Sequence, residues 1–340
     1  MTTFTKTLTT AAILAVTLSG GAWAAELTLK FQSSDPAGNP NFELQTAWAN
    51  SIEERTGGKV AIELLPVESI VAYNETQDAI AAGILDGHIT DVSYFSGRDP
   101  AFGLIGNPVG AWSDPQQMFD FINDGGGREL MNELENPYGL EFIGATTPGL
   151  EAFVSKVPLY GVADLKGLKL RAPEGLIQNV FAAAGASPVN LPGSEVFTSL
   201  DKGVIDAADY SVFSTNAAQG LHDVATYPVY PGFHSMPLVE VSMSKVKWDG
   251  LDAETQGILI ESVKEFALTQ VSALAANDLA AVEAAKAGGE VTIIDWPADE
   301  RAAFRKIAAS QWVEVAARSD NAQRVYDVLT AYLTEKGLIK

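Results

Sequence analysis

Arg171 is the residue of this chain best placed to bind a small anion. It lies in a short segment, Leu168 to Ala172, in which apolar residues alternate with Lys169 and Arg171, a pattern typical of a half-buried β-strand. Pro173 ends the strand, and a helical pattern follows. A guanidinium at this position presents a planar set of N–H donors beside the free backbone N–H groups of a helix N-terminus. These residue types, in this order, predict a carboxylate-binding site.

Three further segments are expected to lie beside Arg171. Strand and helix patterns alternate along the chain, which predicts mostly parallel sheets, and ligands bind beyond the carboxyl ends of the strands in such sheets. The segments that follow predicted strands are Ser33-Ser34, Tyr94-Phe95 and Asp209-Tyr210. Asp209 could accept a hydrogen bond from a ligand hydroxyl or help to hold a cation. Four loops are therefore predicted to meet at one cleft.

The segment Asp164–Arg171, which reads Asp-Leu-Lys-Gly-Leu-Lys-Leu-Arg, resembles the central motif of the solute-binding proteins of TRAP transporters. The resemblance continues through Gly185–Val189, Leu191–Phe197 and Gly203–Asp206, and more loosely along the rest of the chain. It implies an α/β fold of the two-lobed periplasmic-binding-protein type, with mixed, mostly parallel sheets and a long helix that bridges both lobes. It also implies a periplasmic receptor that captures a small organic acid and delivers it to a small and a large membrane subunit.

Two segments, Tyr94–Pro100 and Tyr230–His234, are similar to the TRAP branch that binds 2-oxo acids and lactate. Many relatives have an arginine or glutamine where this chain offers Leu150 or Glu151, and the sequence leaves open which of the two faces the ligand. A second arginine would suit two negative charges, whereas a carboxylate would repel them. The resemblance therefore implies a 2-oxo or 2-hydroxy monocarboxylate as ligand, with a small sulfonate as the next choice.

The same resemblance gives the remaining site residues. In the 2-oxo-acid branch a metal ion can bridge the ligand and an acidic residue just past a Pro-Gly-aromatic turn, but this chain has Ser235-Met236 at that place and offers only Glu240 nearby. No metal and no cofactor are therefore predicted. With Arg171, the predicted ligand-binding residues are Tyr94, Phe95, Glu151, Asp209, Tyr210, Phe213 and Phe233.

Composition predicts an exported, acidic chain without disulfides. Lys6, an apolar run over residues 11–18 and Ala22-Trp23-Ala24 fit a signal peptide that is cleaved after Ala24. The 340 residues include 22 Lys+Arg, 43 Asp+Glu and no cysteine, with a net charge of −21. This charge argues against nucleic acid or an anionic membrane surface as partner. Because the whole molecule repels anions, Arg171 is expected to supply the positive potential of the pocket locally.

The length predicts two lobes with the ligand cleft between them. Lobe I is assigned to residues 25–148 plus about 238–270, and lobe II to residues 149–237 plus about 271–340. A helix of roughly 35 residues from about Asp252 would span about 50 Å and brace both lobes. Some relatives dimerise by exchanging a further C-terminal helix. This sequence ends at Lys340 without that helix, and a monomer is expected.

Two other function classes stay open at this point. An ABC-type periplasmic binding protein has the same broad design but a different membrane partner. A periplasmic hydrolase is less favoured, because the sequence contains neither a Gly-x-Ser-x-Gly nor a His-Glu-x-x-His motif. The histidines His88, His222 and His234 have no ligand spacing among themselves. The chain is therefore predicted not to be an enzyme.

Overall fold

The computed structural model describes residues 25–339, which form two mixed β-sheets surrounded by helices. The predicted signal peptide lies outside these residues. The strands are β1 (Leu27–Ser33), β2 (Val60–Leu65), β3 (Gly87–Asp91), β4 (Leu140–Thr146), β5 (Ala152–Ser155), β6 (Lys169–Arg171), β7 (Ser187–Val189), β8 (Ala207–Ser211) and β9 (Val239–Ser244). The helices are α1 (Pro40–Arg55), α2 (Thr76–Ala81), α3 (Pro100–Gly106), α4 (Pro115–Asp124), α5 (Gly127–Glu135), α6 (Leu176–Ala183), α7 (Val196–Asp201), α8 (Phe213–Ala218), α9 (Leu221–Val224), α10 (Lys245–Asp249), α11 (Ala253–Gly288), α12 (Ala298–Ala316) and α13 (Asp320–Glu335).

Each sheet is the centre of one lobe, as predicted. The first sheet has the strand order β2-β1-β3-β9-β4, in which β1 is parallel to β2 and β3 while β9 is antiparallel to β3 and β4. The second has the order β5-β8-β6-β7, with β6 parallel to β7 and β8. Parallel pairing puts the ends of β1 and β3 at one edge of lobe I and the ends of β6 and β8 at one edge of lobe II.

The long helix α11 joins the lobes. Its 36 residues span about 54 Å, and it packs against α1 and β4 of lobe I and α8 of lobe II. The Asp252 carboxylate accepts a hydrogen bond from the Thr255 N–H at its start, and Gly289 ends it in the left-handed conformation. The predicted bridging helix is therefore confirmed. Among residues 25–339, none of the helices combines the length and hydrophobicity that a membrane-spanning segment needs.

The C-terminal helices differ from the predicted lobe assignment. Helix α12 packs against α6 of lobe II and also against α3 of lobe I, and α13 packs against α3 and α5 of lobe I. The apolar residues Val325, Leu329 and Leu333 of α13 belong to the same buried cluster as Phe102 of α3 and Leu130 of α5. Residues 320–335 therefore lie on lobe I, although the sequence assigned them to lobe II, because their apolar face completes the lobe I core.

Gly232 permits a close backbone contact at the crossing from lobe II back to lobe I. A Cβ atom at this position would lie 1.8 Å from the backbone carbonyl oxygen of Glu151 and 3.1 Å from the Leu150 side chain. The two segments approach each other because the Glu151 N–H donates to the Ser235 carbonyl at 2.9 Å. Only glycine fits this contact without backbone movement.

We expect Gly232→Ala to lower the free energy of unfolding by about 1–3 kcal/mol, since the added methyl group must displace backbone atoms. Gly257→Ala is the matched control. Gly257 lies on the exposed side of α11 with nothing near its Cβ position, and alanine should stabilise the helix by about 0.5–1 kcal/mol. Urea denaturation of both variants measures the change in the free energy of unfolding. An equal change in the two variants would contradict the steric role given to Gly232.

Candidate ligand-binding site

Arg171 is held at the interface of the lobes by backbone carbonyls. It is the last residue of β6 and only 3% exposed. Its Nε donates to the Leu191 carbonyl at 3.0 Å, and its Nη1 donates to the Asp209 carbonyl at 2.7 Å. Leu191 follows β7 and Asp209 belongs to β8, so the parallel pairing of β6 with both strands brings these carbonyls to the guanidinium. The side chain is thereby fixed, with three of its five N–H donors left for other partners.

Two tyrosines lie beside this guanidinium, one from each lobe. Tyr94 follows β3 of lobe I, and its side chain lies beside the Arg171 side chain of lobe II. Burial raises the pKa of Tyr94 well above its usual value, and burial raises the pKa of Tyr210 to about 12. Both hydroxyl groups therefore stay protonated at neutral pH and can donate hydrogen bonds to an anion.

Lobe II adds a chain of three buried ionisable groups. The carboxyl groups of Glu151 and Asp209 lie next to each other, and His234 Nε2 lies 3.2 Å from Asp209 Oδ1. Burial and the neighbouring Asp209 charge raise the pKa of Glu151. Burial also opposes ionisation of Asp209, but His234, Glu151 and Arg171 outweigh it and lower the pKa of Asp209. Burial and the neighbouring Asp209 charge therefore favour the protonated form of Glu151, whereas His234 and Arg171 favour the ionised form of Asp209.

Glu151 and Leu150 have different surroundings, and the surroundings of Glu151 change one physical reason given above. Glu151, rather than Leu150, is among the charges that act on Arg171, while Leu150 packs against the hydrophobic core. The sequence argument treated Glu151 as an ionised carboxylate that repels a second negative charge. In the structure, burial and the neighbouring Asp209 charge raise the pKa of Glu151 and so oppose its ionisation.

Lobe I contributes two further carboxyl groups that sequence reasoning missed. Burial raises the pKa of Asp35 to about 6, although Gln45 Nε2 donates a hydrogen bond to its Oδ2 at 2.8 Å. Burial, opposed by the hydrogen bonds from Ser93, raises the pKa of Asp91 to about 7. The position of each residue was the available signal, since Asp35 lies two residues past the end of β1 and Asp91 ends β3.

Three of the predicted ligand-binding aromatic residues are buried in the structure. Phe95 is 1% exposed and stacks against His88 in the core of lobe I. Phe213 is fully buried against His222 and Tyr230. Phe233 stacks on Trp296 with ring centroids 3.9 Å apart. Each of these rings packs against another aromatic or histidine ring, whereas Tyr94 and Tyr210 lie near the Arg171 guanidinium; contact of any of the five with the ligand stays a prediction.

The Glu151, Asp209 and His234 side chains have the geometry of a possible cation site. Each offers one ligand atom, and the three atoms lie within 4.8 Å of one another. Within residues 25–339, Asp209 Oδ2 and His234 Nδ1 have no hydrogen-bond partner. The sequence had considered Glu240 as the acidic substitute, but the Glu240 carboxylate lies 2.7 Å from the Ser242 hydroxyl and next to His88 inside lobe I. A cation in the cleft would therefore use other residues than those the sequence indicated.

Comparison with known proteins gives a family match over most of the chain. Residues 31–319 match the profile of the bacterial extracellular solute-binding proteins, family 7. A TRAP periplasmic solute-binding protein from Rhodobacter sphaeroides, solved in an apo open state, is 67% identical, with 92% of this chain and 99% of that chain covered and a TM-score of 0.75. A monocarboxylate 2-oxoacid-binding periplasmic protein from Nostoc is 27% identical over 96% of this chain and 93% of its own length. A TRAP periplasmic solute-binding protein from Pseudoalteromonas atlantica, solved with sodium and pyruvate, is 24% identical, with 91% and 94% coverage and a TM-score of 0.82.

The raised pKa values predict how stability depends on pH. Asp91 binds a proton up to about pH 7 in the folded chain but only up to about pH 4 when unfolded, so the folded state holds more protons between these values. The free energy of unfolding should therefore fall as pH rises from 4 to 7, by at most about 1.4 kcal/mol per pH unit for this group. Asp35 and Glu151 act in the same direction, while the lowered pKa of Asp209 acts below pH 4. The groups that face Asp91 are Asp209, Arg171, Glu151 and Tyr94.

The measurement is urea denaturation from pH 5 to pH 8 in chelator-containing buffer. Asp91→Asn keeps an acceptor for the Ser93 N–H and removes the titration, so its stability should vary less with pH than that of the parent chain. Asp201→Asn, an exposed change at the end of α7, is the control and should keep the parent slope. If the free energy of unfolding of Asp91→Asn varies with pH as steeply as that of the parent chain, the raised pKa of Asp91 is contradicted.

Proposed function

The chain belongs to family 7 of the bacterial extracellular solute-binding proteins, and from this premise we propose that it is a TRAP receptor that binds a small monocarboxylate through Arg171. We further propose that it works in the periplasm and hands the ligand to a small and a large membrane subunit. The 67% identity to a TRAP periplasmic solute-binding protein favours a TRAP receptor over the ABC-type alternative. The family consists of solute receptors, and the hydrolase alternative has no support from the relatives.

The observation that carries this proposal is the buried, immobilised guanidinium between two lobes. Two backbone carbonyls fix Arg171, and its remaining donors lie beside Tyr94 and the Asp209 side chain. A carboxylate is the anion whose two oxygens match a guanidinium fork in geometry. The neutral hydroxyls of Tyr94 and Tyr210 can bind a neighbouring oxo or hydroxyl oxygen. A 2-oxo or 2-hydroxy acid presents both groups on adjacent carbons.

The charge of the cleft favours a ligand with one negative charge. Arg171 and ionised Asp209 already balance each other, and Asp35, Asp91 and Glu151 are additional carboxyl groups with raised pKa values. A second negative charge on the ligand would lie among these carboxyl groups without a second guanidinium to pair with it. The name of the Nostoc relative, a monocarboxylate 2-oxoacid-binding protein, supports the same ligand class. A small sulfonate, also a monoanion, is the second choice.

We also propose that a cation accompanies the ligand. Proteins of this fold have been solved with sodium and pyruvate, from Pseudoalteromonas atlantica, and with calcium and pyruvate, from Colwellia psychrerythraea. In this chain the set Glu151, Asp209 and His234 offers two carboxyl oxygens and a ring nitrogen close together. A cation there would offset the acidic groups and add an attractive charge for the anion.

Closure of the lobes around the ligand is the expected conformational step. Lobe I reaches lobe II in this structure through Tyr94 at Arg171, through Asn107 Nδ2, which donates to Ser235 Oγ at 2.7 Å, and through Asn41 beside Ser211. The apo open relative gives a TM-score of 0.75 despite 67% identity, below the 0.82 of the pyruvate complex at 24% identity. A different relative position of two similar lobes would lower the TM-score of the open relative in this way. The comparison therefore supports a hinge between the lobes.

We predict that Arg171→Ala weakens binding of pyruvate at least about 30-fold, which corresponds to about 2 kcal/mol, because a desolvated carboxylate loses its paired charge. Arg171→Lys should restore part of the affinity, since an ammonium group supplies the charge but not the planar fork. Isothermal titration calorimetry of the mature protein, with and without calcium, measures these affinities and the effect of the cation.

Lys169→Ala is the matched control, because Lys169 lies on the same strand with an exposed side chain. It removes one positive charge and should leave the affinity unchanged. Circular dichroism and the melting temperature show whether each variant is folded. Parent-like affinity in folded Arg171→Ala would exclude Arg171 as the anchor and leave the family assignment intact.

We predict that saturating ligand lowers the radius of gyration in small-angle scattering. A compact chain of this length has a radius of gyration of about 20 Å, and an open cleft adds to it. The hinge is expected near residues 147–149 and 235–237, where the chain crosses between lobes. Folded Arg171→Ala at the same ligand concentration serves as the unliganded reference. An unchanged radius with binding confirmed by calorimetry would exclude closure.

A further inference from the structure

A second group of buried ionisable side chains lies within lobe I, apart from the cleft residues around Arg171. Its members are His88 on β3, Glu135 at the end of α5 and Glu240 on β9, and each is 0% exposed. In the antiparallel register, His88 pairs with Ser242 and Thr90 pairs with Glu240. Side chains alternate along a strand, so His88, Glu240 and Ser242 share one face of the sheet. Glu135 reaches this face from α5, which packs against β4.

The hydrogen bonds of this cluster leave three atoms facing one another without a partner. The Ser242 hydroxyl lies 2.8 Å from Glu135 Oε2 and 2.7 Å from Glu240 Oε2, and its single hydrogen can go to only one of them. The Thr76 hydroxyl lies 2.8 Å from His88 Nδ1 and orients the ring, with Nε2 turned to Glu240 Oε1 at 3.5 Å. Within residues 25–339, His88 Nε2, Glu135 Oε1 and Glu240 Oε1 have no hydrogen-bond partner.

The cluster also lacks a positive residue to balance its carboxylates. In the described part of the chain, no lysine or arginine forms an ion pair with Glu135 or Glu240, and His88 is the only basic group in contact with Glu240. Two ionised carboxylates buried without compensation are strongly unfavourable. A divalent cation with a neutral histidine would make the group electrically neutral.

From these observations we propose that His88 Nε2, Glu135 Oε1 and Glu240 Oε1 bind a divalent transition-metal ion, zinc first, at a structural site within lobe I. One candidate ligand atom from each of His88, Glu135 and Glu240 lies within 4.8 Å of the other two. Zinc bonds of about 2.0–2.2 Å place tetrahedral ligands roughly 3.3 Å apart, close to the 3.5 Å between His88 Nε2 and Glu240 Oε1. The contact of His88 Nδ1 with Thr76 is the kind of second hydrogen bond that orients a metal-bound imidazole.

The donor set distinguishes this site from the cation site proposed in the cleft. One ring nitrogen and two carboxylates, with Ser242 as the nearest additional oxygen, suit zinc or manganese, whereas calcium prefers six to eight oxygen ligands. The ion would tie β3 and β9 to α5. It would therefore hold together the strand that leads to Asp91 and Tyr94, without contacting the ligand.

The test uses the mature protein, produced without a metal-affinity tag and stripped with chelator. One equivalent of Zn²⁺, Mn²⁺ or Ca²⁺ is added, and metal content after desalting and melting temperature are measured. We expect Asp209→Asn, which removes a cleft carboxylate, to retain one equivalent of zinc and a melting temperature raised by several degrees. Glu240→Gln should lose both. The readouts do not depend on organic acid binding, so they stand apart from the proposed function.

Glu135→Gln is the second cluster variant in case Glu240→Gln does not fold. The absorption bands of Co²⁺ provide an independent readout on Asp209→Asn, whose lobe I cluster is unaltered. Zinc retained by Glu240→Gln or Glu135→Gln but lost from Asp209→Asn would place the metal in the cleft and overturn the proposal. Failure of Asp209→Asn to retain zinc or to show Co²⁺ bands would also overturn it, and would mean that the two glutamates share a proton instead.

Discussion

The burial of the Arg171 guanidinium is the constraint on which the rest of the cleft depends. A charge removed from water must be balanced by partners within a few ångströms. The Leu191 and Asp209 carbonyls and the neighbouring carboxyl groups supply this balance. Because they come from separate strand ends, their positions relative to β6 decide whether the guanidinium can be buried. The strand order β5-β8-β6-β7 is therefore part of the binding chemistry.

The same constraint explains why the site is divided between two lobes. Lobe II alone presents a fixed cation and an ionised Asp209, and water can solvate both when the cleft is open. In the proposed closure, Tyr94, Asp35 and Asp91 would join the site and that water would be excluded, which would strengthen every electrostatic interaction inside. The carboxyl groups with raised pKa values would make closure without a ligand less favourable at neutral pH. On this proposal, a bound monoanion, with or without a cation, shifts the balance toward the closed form.

The sequence allowed the long helix and the strand-end position of Arg171 to be predicted because these depend on local patterns. Alternation over Leu168 to Ala172 placed Arg171 at a strand end, and the long amphipathic run marked α11. The aromatic walls could not be separated from core aromatics, since Phe95 and Tyr94 are neighbours in the chain and only the three-dimensional packing buries one against His88. The position of α13 on lobe I likewise depends on a shared core that no local pattern reveals.

The acidic residues show a different limit of sequence reasoning. Asp91 and His88 lie three residues apart, yet β3 sends one to the cleft and the other to the cluster with Glu135 and Glu240. A sequence reading could only note isolated histidines without ligand spacing, because the partners of each come from distant segments that meet through β9. Since β9 is the strand that returns from lobe II, its pairing with β3 fixes the lobe I side of the cleft and the buried cluster together. The stability of that pairing therefore bears on how accurately Tyr94 meets Arg171, even though no residue of the cluster needs to touch the ligand.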